Sequence, residues 1–127
     1  MTHPLITRLL NEFDYPNLQT MDDVTAFTQA PGLHVIFVPG DVVRNLETPD
    51  VAVILPELRQ AFQGQFDCAV AADSVETDLR SSTKVHKTPS LIFFREGQMI
   101  GALPKVRDWS EYIERITQIL ALPVAAE

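Results

Sequence analysis

The chain has 127 residues, 46% hydrophobic and 21% charged, a balance that suits one globular domain over residues 1–127. Its formal net charge of −7 repels phosphate backbones and argues against nucleic acid as a partner. No apolar run approaches the ~20 residues that cross a bilayer as a helix, and a single cysteine leaves no internal disulfide to form.

A first helix is predicted over residues 4–13, with Pro4 at its first position and Leu5, Ile6, Leu9, Leu10 and Phe13 on one face. "NLQT" reads as a short edge strand. "MDDVTAFTQA" reads as a helix with acids in its first turn, ended by Pro31-Gly32. "LHVIFVPG" reads as a continuous apolar run rich in β-branched residues, the pattern of a strand covered on both faces. After the loop "GDVVRNLE", Thr48 is expected as an N-cap with Pro49 at the first helical position. That helix runs to about Gln63, with Pro56 inside it as a kink.

"FDCAVAAD" predicts a second buried strand, and "VETDLRSSTKV" a polar helix or turn. "SLIFFRE" and "QMIGAL" predict an antiparallel hairpin around Gly97. The last helix, "DWSEYIERITQIL", is expected to carry a capping box made by Asp108 and Glu111. Pro123 is expected to stop it, leaving "VAAE" as a frayed tail. Alternating strands and helices followed by a hairpin imply an α/β fold, a mixed central β-sheet flanked by helices on both faces. The first residues, "MTHPLITRLLNEFD", lack a basic segment leading into an apolar core, so no export signal is expected and the cytoplasm is the expected compartment.

This order resembles the thioredoxin fold over nearly the whole chain. Thr88-Pro89 before a strand, the hairpin "FREGQ" and the internal Pro56 carry the likeness. The resemblance implies a cis proline at Pro89. Counting back from Pro56, the C-x-x-C of thioredoxin-like enzymes falls on Thr48-Pro49-Asp50-Val51, and their buried strand acid at about Ile36. A hydroxyl and a branched alkane cannot exchange disulfides, so the dithiol machinery is absent.

A narrower group is similar in more detail: the thioredoxin-like [NiFe]-hydrogenase maturation proteins of the HyaE/HupG type, which keep this frame without the cysteine pair. "TQAPG", "PELRQAF", "AVAADSVE" and above all "EGQMIGALPKVRDWSEYI" carry that resemblance, over roughly residues 4–121. It implies a chaperone for the small subunit of an uptake hydrogenase. Such a chaperone holds the precursor's twin-arginine signal until the iron–sulfur clusters are in place, and other maturation factors are further partners. No cofactor is implied for the chain itself. A basic, then apolar, signal needs carboxylates beside an apolar groove, since arginine pairs with carboxylate in bidentate fashion.

Thr88 and Pro89 are candidate partner-binding residues, because the backbone before such a proline pairs with extended peptide in thioredoxin-like proteins, a form of strand addition. Pro89 reads equally well as a shaping residue of the sheet. Asp41, Glu47 and Asp50 are expected to cluster beside that site as arginine acceptors, with Glu57, Asp73 and Glu76 as further acids; solvated surface acids are the competing reading. Trp109 is expected in the core, with a surface anchor as the alternative. His86 reads as an exposed loop residue, and no Cys/His spacing suggests a metal site. Cys68, in mid-strand, reads as a small hydrophobe. A single-cysteine redox enzyme using Cys68, or a plain assembly subunit, are the alternatives to a chaperone.

Overall fold

The computed structural model describes residues 3–121. Helix α1 spans Pro4–Asn11, strand β1 Asn17–Leu18, α2 Met21–Gln29 and β2 Leu33–Val38. Helix α3 (Thr48–Ala61), β3 (Phe66–Ala71) and α4 (Asp73–Thr83) follow, then the hairpin β4 (Ser90–Arg95) and β5 (Gln98–Pro104), and α5 (Trp109–Leu120). The five strands form one sheet in the order β1-β3-β2-β4-β5. β2 runs parallel to β3, and β1 to β3, whereas β4 lies antiparallel to both β2 and β5. The mixed sheet expected from the strand order is therefore present, and "VETDLRSSTKV" resolves as helix. Pro123 and the "VAAE" tail lie outside the described residues.

Strand alternation sorts the core into two layers. On one face Val35, Phe37, Cys68, Val70, Leu91 and Phe93 pack against Ile6 and Leu9 of α1, Leu55 and Leu58 of α3, and Tyr112 and Ile116 of α5. On the other, Ile36, Val38, Ala69, Ala71, Ile92 and Phe94 meet Val24 of α2 and Val75 and Leu79 of α4. Covering both faces explains why β2 and β4 are apolar along most of their length rather than alternating. His34 interrupts the β2 run, and its Nε2 lies 2.9 Å from the Ala30 carbonyl at the end of α2.

The sequence places the acid equivalent at about Ile36, but Ile36 belongs to the layer away from α3. The β2 side chains that pack on the α3 side are Val35 and Phe37. They too are apolar, so among the described residues of β2 no acid faces α3.

Three further expectations are corrected. α1 ends at Asn11, so Phe13 lies beyond it and is 37% exposed. Thr48 is the first helical residue rather than the N-cap, which is Glu47 and makes no side-chain cap. Asp108 is the N-cap of α5, but its side chain makes no capping bond. Glu111 is taken instead by the guanidinium of Arg107, a charged donor that outcompetes a backbone amide. The reciprocal box forms at α2, where Thr20 Oγ1 accepts from Asp23 N at 3.1 Å and Asp23 Oδ2 accepts from Thr20 N at 3.2 Å.

Candidate polypeptide-binding site

Between β2 and α3 the chain forms a strap, residues 39–47, over the segment that precedes β4. Asp41 shapes the strap from within. Its Oδ1 accepts from Val43 N at 2.9 Å, and its carbonyl accepts from Asn45 N at 2.8 Å. Asn45 Nδ2 then donates to Thr88 Oγ1 at 3.0 Å, joining the strap to the Thr88-Pro89 segment, whose peptide bond is cis. Gly40 fits here because it has φ +75° and its backbone lies against Thr88.

Glu47 closes the other end. Its Oε1 accepts from Val106 N at 2.7 Å, and Oε2 lies 3.5 Å from Lys105 Nζ. Lys105 Nζ in turn donates to the Thr88 carbonyl at 3.1 Å. Beneath the strap, Thr48 is fully buried and its Oγ1 donates to the Pro39 carbonyl at 2.7 Å; Val51 is 1% exposed. The positions that carry cysteines in the dithiol enzymes are therefore roofed over. Val43 and Leu46 lie on the strap's outer surface, 81% and 85% exposed.

Beside the strap a cleft of about 670 Å³ opens at the carboxyl ends of β2 and β3. The connections from these two adjacent parallel strands lead to helices on opposite faces, the arrangement that places ligand crevices in α/β sheets. Ile6 and Leu10 of α1, with Val42 and Val43 of the strap, give it apolar wall; Asp41, Asp73 and Glu76 give it carboxylates. Burial pushes the Glu76 carboxyl above its ordinary value, and repulsion from Asp73 and Asp41 adds to this. Arg80, 3.5 Å away, acts in the opposite direction.

The expected acidic cluster is thus only partly assembled. Asp41 joins Asp73 and Glu76 at the cleft, while Glu47 is engaged by Lys105 and Val106 next to Thr88. Asp50 is exposed on the first turn of α3, and Glu57 lines a separate depression with Trp109. Pro89 is buried, His86 exposed. Lys105, Asn45 and the outward Val43 and Leu46 are the participants that pattern reading missed. Three large apolar residues, Val42, Val43 and Leu46, in an otherwise polar loop, "GDVVRNLE", were the available signal.

Cys68 is 3% exposed, and burial pushes its thiol up to about 12. Such a thiol carries almost no thiolate at neutral pH. Burial raises the Tyr15 phenol as well, with the neighbouring Cys68 adding to the shift. Both raised groups hold protons more tightly folded than unfolded, so their stabilisation is complete below the unfolded thiol value of 9.0 and is lost as pH climbs toward 12. Urea unfolding at pH 10 should therefore show about 1–2 kcal/mol less stability than at pH 8. Cys68→Ala should remove most of that difference, and an unchanged difference would show that the thiol is not its source.

Among the described residues no cluster of three or more His, Cys, Asp or Glu could hold a metal, and no helix is long and apolar enough to cross a membrane.

A thioredoxin-like sheet with a roofed, cysteine-free helix start and an acid-lined cleft defines a thioredoxin-fold protein without dithiol chemistry. Mitochondrial thioredoxin 3 of Saccharomyces cerevisiae superimposes with a TM-score of 0.68 at 15% identity, covering 87% of this chain and 97% of that one. That likeness concerns the fold alone. The family described as "Hydrogenase-1 expression protein HyaE" matches residues 5–112, and the chain belongs to it. The hydrogenase expression/formation protein HupG of Rhodobacter capsulatus is 58% identical over 120 residues, covering 94% of this chain and 87% of that protein. A crystal structure of the hydrogenase expression/formation protein hupG from Rhodopseudomonas palustris is 35% identical with a TM-score of 0.55, covering 84% and 95% of the two chains. The role that follows is in hydrogenase expression and formation.

Proposed function

We propose that the protein is a non-enzymatic chaperone of [NiFe]-hydrogenase maturation that holds the small-subunit precursor in the cytoplasm by its twin-arginine signal before export. The observation that carries this reading is the cleft, where Asp41, Asp73 and Glu76 stand beside Ile6, Leu10 and Val42. Arginines of the signal pair with the carboxylates, and the apolar stretch that follows lies along the cleft wall and the outward Val43 and Leu46. The net charge of −7 speeds encounter with a basic segment. An extended signal reaching Thr88 meets a carbonyl that already accepts from Lys105 Nζ, so strand addition at Pro89 shares an acceptor the chain already uses. A buried, proton-holding Cys68 supports a role without thiol chemistry.

Titration with a synthetic twin-arginine signal peptide tests this at about 50 mM and about 200 mM salt, where screening differs roughly twofold in length. Saturable binding that weakens several-fold at the higher salt is the expected result. Asp73→Asn together with Glu76→Gln should weaken it about tenfold, as removal of two charged hydrogen-bond acceptors implies. Absence of binding at low salt removes signal recognition from the reading. Binding indifferent to the double variant removes the cleft.

A further inference from the structure

Trp109 opens α5 and is 44% exposed, contrary to the core position expected from its helical spacing. It lines a shallow depression of about 370 Å³ together with Glu57, Gln60 and Ala61 of α3. Val53, one turn before Glu57, is 39% exposed and extends the apolar surface along the helix. None of the lining residues is basic. The arginines nearest in sequence are engaged elsewhere: Arg59 donates from Nε to the Phe66 carbonyl at 3.1 Å and lies 3.6 Å from Asp67, while Arg107 pairs with Glu111. An indole and an exposed carboxylate thus share one hollow whose described lining residues include no cation.

We propose that Trp109 and Glu57 form a second docking surface, which takes an arginine of a partner polypeptide. Guanidinium suits both groups at once: its plane stacks on the indole while its N–H groups donate to the carboxylate of Glu57. Val53 offers contact to an apolar neighbour of that arginine. A second copy of this chain is the poorer occupant, because two molecules of net charge −7 repel each other. The surface lies on the α3–α5 side and shares no residue with the cleft at the ends of β2 and β3, so it stands whether or not the cleft receives a signal peptide.

The chain has one tryptophan, so its emission reports on this surface directly. The full chain is titrated at low salt with the peptide acetyl-Leu-Arg-Arg-Leu-amide and with the same peptide carrying citrulline, a neutral isostere, in place of arginine. Expected is a saturable change in Trp109 emission with the arginine peptide, and binding at least about fivefold weaker with citrulline. Glu57→Gln should weaken the arginine peptide about three- to fivefold. Trp109→Leu, followed by calorimetry and with an unchanged circular-dichroism spectrum, should do the same. An emission that does not respond, equal affinity for the two peptides, or a response untouched by Glu57→Gln would overturn the assignment.

Discussion

Gly40→Ala should destabilise the protein by about 3 kcal/mol, against about 1 kcal/mol for Gly32→Ala. Both glycines have positive φ, +75° and +97°, so both substitutions strain the backbone. Only Gly40 is also crowded. A Cβ there would lie 2.3 Å from Thr88 Oγ1, 2.4 Å from Asn45 Nδ2 and 2.6 Å from Thr88 Cβ, whereas one at Gly32 meets nothing within 4 Å. Asn45 can swing aside, but Thr88 is held by its place before the buried Pro89, so the strap has to lift. Lifting breaks the Asn45–Thr88 hydrogen bond and opens the roof over Thr48. Urea unfolding of the two variants in parallel measures the difference. Equal losses would mean that close packing of the strap contributes nothing.

Returning a cysteine pair to the start of α3, as Thr48→Cys with Val51→Cys, is expected to produce no disulfide reductase. Thr48 is fully buried and Val51 is 1% exposed, so thiols placed there have no access to a substrate disulfide. The change also leaves the buried Pro39 carbonyl without the Thr48 hydroxyl, a loss of about 1–3 kcal/mol. With Cys68 replaced by alanine, labelling of the two introduced thiols by an aromatic disulfide reagent should be at least about a hundredfold slower in the native protein than in urea, consistent with opening free energies near 3 kcal/mol. Adding Gly40→Ala should speed that labelling, since it displaces the roof. Fast labelling in the native double variant, or insulin reduction, would show that only the cysteines were missing. Slow labelling would show that the geometry had gone as well.

The two experiments address different losses. Cysteine absence is a property of the chain, readable at Thr48 and Val51 by counting from Pro56. Closure of the site depends on Gly40, Asn45 and Glu47 meeting residues far along the sequence. Asn45 and Thr88 are 43 residues apart, and Glu47 and Val106 are 59 apart. In the same way Trp109 has apolar spacing with Tyr112, Ile113 and Ile116, yet it remains partly exposed while Tyr112 and Ile116 are fully buried. Spacing shows which residues share a helix face. It does not show where the neighbouring helix ends that face.

Helix α5 shows the division at small scale. Its position follows from period and from Asp108 before the first turn, and the structure keeps it, with Tyr112 and Ile116 buried as their spacing implies and Trp109 not. Its capping bond does not follow, because Arg107 takes Glu111 first. Thus the sequence by itself determined the order of elements, the two-sided burial of β2, the burial of β3, the lack of a dithiol and the family resemblance, all of which rest on local pattern or identity. Tertiary structure alone decided that Thr48 and Val51 are roofed, that Glu47 belongs to Lys105 and Val106, that Asp41 joins Asp73 and Glu76 at one cleft, and that Trp109 faces outward beside Glu57. The physical reason is competition. A polar group settles on the strongest donor or acceptor within reach, and which groups come within reach is set by the packing of distant elements.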